Sequence, residues 1–306
     1  MAAHCFDATT FVGPCNHKAR GQHHNPPAPG RSHYLKITRK QVCNKFFIGM
    51  KRIHTILIIL LLAVTYGEAK KSSDDRQMDD FITSLMKKMT LEEKIGQLNL
   101  GGVGSPKVVG SAIGLDEAIR KGLVSSVGGF DAKAAEDAQK FAVENSRMKI
   151  PLITGLDVVH GYYTIFPIPL ASACSWNMPL LEESARVAAD EASAFGINWT
   201  FAPMVDICRD PRWGRIAEGA GEDPCLGSRI GRAMVRGFQG DDLSKPNTLL
   251  ACVKHFALYG ASEAGRDYNT VSMDPVTMYN YYLPPYKAAF DEGAGSGMTS
   301  FNVVNG

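Results

Sequence analysis

Ala251-Cys252-Val253-Lys254-His255-Phe256 is a short apolar run that ends on a lysine and a histidine, and the loop behind it carries Glu263 and Arg266. In an α/β barrel, ligands gather at the C-terminal ends of the strands, so charged side chains placed where a strand stops are candidates for ligand contact. The plain structural reading is a strand end with a solvated Lys254 and a satisfied His255, and spacing alone leaves both readings open. Three more clusters have the same form. Asp157 and His160 follow the apolar run 152–156. Arg209, Asp210, Arg212, Trp213 and Arg215 follow the run 199–203, with Glu218, Glu222 and Asp223 close behind. Ser300, Phe301 and Asn302 stand at the end of the chain. An acid, arginines and a Lys-His pair, with Trp176 and Trp213 nearby, are the side chains that a sugar ring calls for: adjacent hydroxyls want paired acceptors and charged donors, and the apolar ring face wants an aromatic. Each residue also has a structural role open to it. Asp157 can cap a helix, and Arg212 and Arg215 can form ion pairs with Glu218, Glu222 or Asp223, the preferred reading for Arg212. No HExxH or comparable spacing supports a metal site, and no GxGxxG or GxxxxGK[ST] supports a phosphate cradle, so neither metal nor cofactor is expected.

Positioning these clusters requires short strands alternating with amphipathic helices, the sequence sign of βαβ units. Strands are expected at 96–99, 124–128, 152–156, 199–203, 249–254 and 297–301. Helices are expected at 78–89, 91–95, 115–121, 132–147, 179–195, 226–238 and 281–292. In the first helix Phe81, Ile82, Leu85, Met86 and Met89 have helical spacing, and Thr90 with Glu93 forms a capping box for the second. In the helix from Pro179, residues Leu181, Ala185, Ala188, Ala189, Ala192 and Phe195 fall on one stripe, with Pro179 suited to a first turn and Gly196 to the C-terminal cap. Six strands joined by right-handed crossovers fit an incomplete (β/α) barrel, which closes at eight, better than a nucleotide-binding sheet.

With 306 residues, 45% hydrophobic and 21% charged, the chain can bury a real core. Its net charge of +2 hides an asymmetry, because residues 1–49 carry most of the excess base and the remainder is mildly acidic; no nucleic-acid footprint belongs to the folded part. Those first 49 residues are expected to be an unstructured or mis-assigned leader. Met50 opens a better N-terminus: Lys51 and Arg52, an apolar run at 56–64, and the small residues Gly67 and Ala69 together read as a secretory signal peptide over 50–69. The run is shorter than the ~20 residues a bilayer span needs, so no stable membrane span is expected and the protein is expected to be secreted or periplasmic. Beyond it remain Cys174, Cys208, Cys225 and Cys252, with no CxxC. Cys208 with Cys225 is the disulfide to test first, and buried free thiols are the equal alternative.

Five motifs occur in order: Met89-Thr90-Leu91-Glu92-Glu93-Lys94-Ile95-Gly96-Gln97; Gly155-Leu156-Asp157-Val158-Val159-His160-Gly161; Asp210-Pro211-Arg212-Trp213-Gly214-Arg215 with Glu218-Gly219-Ala220-Gly221-Glu222-Asp223-Pro224; Lys254-His255-Phe256; and Met298-Thr299-Ser300-Phe301-Asn302. Together they resemble glycoside hydrolase family 3, in particular its bacterial β-glucosidases, over residues 78–306. The resemblance implies a (β/α)8-type TIM barrel over 70–306, incomplete here, and retaining hydrolysis of terminal β-D-glucosyl residues. It implies that Asp157 accepts hydrogen bonds from sugar hydroxyls and that Arg215, Lys254, His255 and Arg266 hold the same sugar. Phe301 stands where many members place a Tyr near the nucleophile. Ala257-Leu258-Tyr259-Gly260 after Lys-His-Phe favours glucosidase over the N-acetylglucosaminidases, which typically continue with Pro-Gly-His. A retaining glycosidase needs two carboxyl groups roughly 5 Å apart, and the family pattern puts both beyond Gly306. None of the residues present is therefore expected to be catalytic, and the chain is expected to bind a β-glucoside or oligosaccharide at most. It reads as the front of a longer secreted β-glucosidase, with a non-catalytic carbohydrate-binding pseudoenzyme as the alternative. Oligomeric state is not legible.

Overall fold

The sheet is built from strands that each begin after an amphipathic helix has crossed back over it, which is why every neighbouring pair runs parallel. The computed structural model describes residues 73–102, 113–129 and 132–306, and Asp74–Gly306 form one compact unit. The expected leader at 1–49 and the expected signal peptide at 50–69 lie outside the described residues. Helices α1 (Ser73–Lys88) and α2 (Leu91–Gly96) lead into β1 (Leu100–Gly102). Then come α3 (Leu115–Arg120), β2 (Ser126–Gly128), α4 (Ala132–Asn145), β3 (Ile153–Leu156), α5 (Pro169–Ala173), α6 (Met178–Ala194) and β4 (Trp199–Thr200). A 3-10 turn (Gly214–Glu218), α7 (Pro224–Gln239), β5 (Leu250–Phe256), α8 (Pro275–Thr277), α9 (Pro284–Asp291) and β6 (Ser296–Thr299) complete the order. The six strands lie side by side in chain order, curled into an incomplete (β/α) barrel.

The capping box forms as its residues imply: the Thr90 hydroxyl accepts from the Glu93 N–H while Glu93 reaches back to the Thr90 N–H. Arg147, donating to the buried Glu93, ties this cap to the end of α4. The strand expected at 96–99 does not exist. Gly96 closes α2 instead, and Gln97, Leu98 and Asn99 continue the turn by donating to Glu93, Ile95 and Gly96, so β1 starts at Leu100. The sequence reading missed this because a short segment after a capped helix looks the same whether the helix has ended or runs on by a turn. The apolar face of α1 is likewise exposed at Phe81, Ile82 and Met86, and only Met89 just beyond it is buried.

The alanine stripe of α6 behaves differently. Leu181, Ala185, Ala188, Ala189 and Ala192 are buried, and α7 lies against them. At the crossing, a Cβ on Gly237 of α7 would sit 2.4 Å from the Glu182 carbonyl oxygen and 2.6 Å from the Ala185 Cβ. In an isolated helix Gly→Ala gains about 1 kcal/mol. Here backbone meets backbone and neither can rotate away, so overpacking of about 1–3 kcal/mol outweighs that gain. Gly237→Ala is expected to lower the thermal midpoint by several degrees; a midpoint at or above wild type in a circular-dichroism melt refutes the close crossing.

Candidate functional site

Strand β5 is buried along most of its length, with Ala251 through His255 all inaccessible, as a strand covered on both faces should be. Its pairing with β6 slips at the end: Lys254 faces Met298 and Phe256 faces Thr299, so His255 is an extra residue with no partner. Regular alternation would send Lys254 and His255 to opposite faces. A bulge re-aims side chains, and here both residues join one charged cluster. The segment after β4 runs alongside, with Val205 N–H donating to the Lys254 carbonyl and Lys254 N–H to the Pro203 carbonyl. That places Asp206 beneath His255.

Lys254 Nζ donates to Asp157 Oδ1 at 2.6 Å, the lysine side chain 2% exposed and the aspartate, just past the end of β3, 53% exposed. Arg215, on the 3-10 turn, grips both Glu218 oxygens through Nε and Nη2 at 2.6 and 2.7 Å, and its Nη1 stands 3.3 Å from His255 Nε2. Burial works to raise the Glu218 carboxyl, but the Arg215 bonds and the Lys254 charge outweigh it and hold the group below the usual carboxylate range. The Tyr259 ring fills the floor between them, edge-on to His255 at 4.9 Å, with the Arg215 guanidinium 5.5 Å from its centroid. Beneath Tyr259 is Trp213, fully buried, whose indole N–H donates to Asp267 at 3.0 Å. Burial pushes that carboxyl up, and the indole bond, with Tyr259, brings it below its ordinary value. Tyr268 and Phe301, both exposed, continue the aromatic surface outward from Tyr259.

Of the residues singled out in the sequence, the structure joins Asp157, Arg215, Lys254 and His255 in one cluster, with Phe301 at its rim through the aromatic contacts. Arg266 is exposed, and its side chain makes no hydrogen bond or ion pair with the others. His160 is structural: its Nδ1 lies 3.0 Å from the Phe166 carbonyl, closing the 160–166 loop. Arg212 pairs with Asp210, not with Glu218, Glu222 or Asp223, and holds the Asp210 carboxyl down to about 2. Glu218 is taken by Arg215, and Asp223 caps α7. Arg209 lies over the Tyr281 ring. Ser300 and Asn302 both donate to the Ala257 carbonyl. Trp213, expected to face a sugar, supports the site from below, and Trp176 is exposed with no ring contact to the cluster. Cys208 and Cys225 are not joined; all four described cysteines are free. No group of metal-ligating side chains occurs among the described residues, and no described helix is long and apolar enough to cross a membrane. Sequence reasoning missed Asp206, Tyr259, Asp267 and Tyr286. Asp206 did leave a signal, as a lone acid within Phe201-Ala202-Pro203-Met204-Val205-Asp206-Ile207.

The strand ends of this incomplete (β/α) barrel thus collect the carboxylates of Asp157, Asp206 and Glu218, an arginine, a lysine, a histidine and an aromatic rim. The chain belongs to glycosyl hydrolase family 3, whose N-terminal domain model matches residues 90–306. It is 45% identical over 233 residues to a periplasmic β-glucosidase of Salmonella typhimurium, covering 74% of this chain and 30% of that one. Among solved structures it is similar to a β-glucosidase from Listeria innocua in complex with glucose, at 43% identity and a TM-score of 0.66, covering 74% of this chain and 33% of that one. A mutant of the same Listeria enzyme in complex with laminaribiose gives 43% identity and a TM-score of 0.67 over the same shares. The chain spans about a third of the length of these relatives.

Proposed function

We propose that residues 70–306 form the glucose-gripping face of an exported β-glucosidase that removes terminal non-reducing β-D-glucosyl residues by a retaining mechanism. The observation that carries this reading is the convergence of Asp157–Lys254 and Arg215–His255 on one strand-end cluster with an aromatic rim. Hydrogen bonds between neutral hydroxyls and charged partners contribute about 1.5–3 kcal/mol each, so a few of them suffice to hold a single sugar ring. Asp157, the most open member, accepts from hydroxyls, and Lys254 and Arg215 donate. Contacts of this kind accelerate cleavage when they tighten as the sugar flattens toward the oxocarbenium-like transition state. Bond cleavage is not assigned to any of the described residues. The sugars held in the similar Listeria structures, glucose and laminaribiose, support the substrate class. The periplasmic relative and the signal-like segment at 50–69 support export.

Calorimetric titration of the chain with glucose tests the reading. Wild type is expected to bind, and Asp157→Ala to lose at least about tenfold in affinity, the worth of one charged hydrogen bond. A folded wild-type chain that takes up no glucose, or an Asp157→Ala protein that binds it as wild type does, defeats the proposal. In a hydrolytically active protein carrying these residues, the same change is expected to raise KM and lower kcat together.

A further inference from the structure

His255 has a fixed partner on each ring nitrogen, and the partners differ in kind. Arg215 Nη1 lies 3.3 Å from Nε2. A guanidinium can only donate, so Nε2 must accept. On the other side Nδ1 lies 2.9 Å from Asp206 Oδ2, the same oxygen that accepts the His255 backbone N–H at 2.9 Å. An ionised carboxylate can only accept, so Nδ1 must carry the proton. Asp206 is itself buried, and its second oxygen accepts from the hydroxyl of Tyr286 on α9, which is buried too. The Tyr286 hydroxyl has one proton to share between that carboxylate and the His255 carbonyl, 2.8 Å away. The His255 ring, its own backbone and a helix thirty-one residues later are thus tied to a single carboxylate.

We infer that Asp206 and Tyr286 are positioning residues that hold His255 in its Nδ1–H form and present Nε2 as a hydrogen-bond acceptor. The inference rests on the sugar-binding reading of the cluster and deepens it. The group recognised at Nε2 must be a donor: a sugar hydroxyl, or Arg215 while the site is empty. A buried carboxylate fixing the far nitrogen is the general way in which proteins select one imidazole tautomer. Nothing else within reach does so here, since Tyr259 meets the ring edge-on at 4.9 Å.

The full chain, labelled with 15N-histidine, allows a direct test by long-range 1H–15N NMR, the His255 signals being assigned by their loss in His255→Gln. Without ligand, wild type is expected to show a protonated Nδ1 and a bare Nε2; a protonated Nε2, or an averaged mixture of tautomers, overturns the inference. In Asp206→Ala the acceptor facing Nδ1 is gone, so an Nε2-protonated population is expected to appear and glucose affinity to fall about tenfold. A folded Asp206→Ala protein with the wild-type tautomer and wild-type affinity reduces Asp206 to a packing role. Should that variant fail to fold, Tyr286→Phe remains: a second, Nε2-protonated population is expected to appear, and a spectrum identical to wild type removes Tyr286 from the pair. Glucose failing to bind wild type strikes the sugar reading and leaves the tautomer measurement standing, whereas a wrong tautomer with intact glucose binding strikes this inference alone.

Discussion

Asp157→Asn is expected to destabilise the fold by about 3 kcal/mol, and Lys254→Met by only about 1 kcal/mol, although the two changes break the same ion pair. The asymmetry follows from burial. Lys254 is 2% exposed, so neutralising Asp157 strands an ammonium away from water, with only the more distant Glu218 to compensate it. Asp157 is 53% exposed, so losing Lys254 leaves a carboxylate that water can take over, and methionine fills the vacated channel with nearly the same shape. The double variant is expected to resemble Lys254→Met alone, because the penalty of the first change vanishes once the buried charge is gone. Urea melts of the three proteins check this ordering through their midpoints. Equal losses from the two single changes contradict it.

Trp213→Ala is expected to cost about 3–5 kcal/mol, the larger of the two effects. Trp213 is fully buried among Met204, Cys208, Tyr259 and Ile216, and removing it opens a cavity beneath the ring on which Arg215 and His255 rest. It also takes from the exposed Asp267 the indole N–H that this carboxylate accepts. Trp213→Phe separates the contributions: most of the packing survives and the hydrogen bond does not, so a loss of about 1–2 kcal/mol is expected. Denaturant midpoints again measure both, and glucose affinity should fall with them because the floor of the site moves. A Trp213→Ala protein within 1 kcal/mol of wild type shows that the ring is not the support described here.

How much of this was readable beforehand depended on the kind of signal. The α6 stripe was legible because a run of alanines at helical spacing has one interpretation, and all but Phe195 are buried as expected. Phe195 is the cap, where the helical direction has already ended, and its ring packs on Tyr162 and Tyr163 instead. The starts of β3 to β6 were legible to within a residue, those of β1 and β2 were not, and strand lengths were not. The run 199–203 reads as one strand, yet only Trp199–Thr200 join the ladder, and the residues after them reach β5 through the Met204–Lys254 bridge and the Cys252 N–H donating to the Ala202 carbonyl. The helical period of α1 was read correctly, but periodicity says that a face is apolar and not what covers it. At the site, the binding residues stood out because charged side chains at strand ends are unusual company for an apolar run. Their supports did not. Asp206, Tyr259 and Tyr286 act through contacts across tens of residues, and a tyrosine within a helical pattern gives no hint of the carboxylate it meets. The bulge at His255 was equally invisible, since register belongs to the pair of strands and not to either one.

The Lys254–Asp157 contact joins residues 97 apart and the Tyr286–Asp206 contact residues 80 apart, with whole helices between. At about 5–20 residues per second on a ribosome, Lys254 follows Asp157 by roughly 5–20 seconds, long after the intervening helices could form, since a helix relaxes within about a microsecond. The early barrel therefore waits with an open acid at the end of β3 and an unpartnered one after β4. Its ability to hold a ligand arrives late and as a unit, when β5 docks and α9 closes over it.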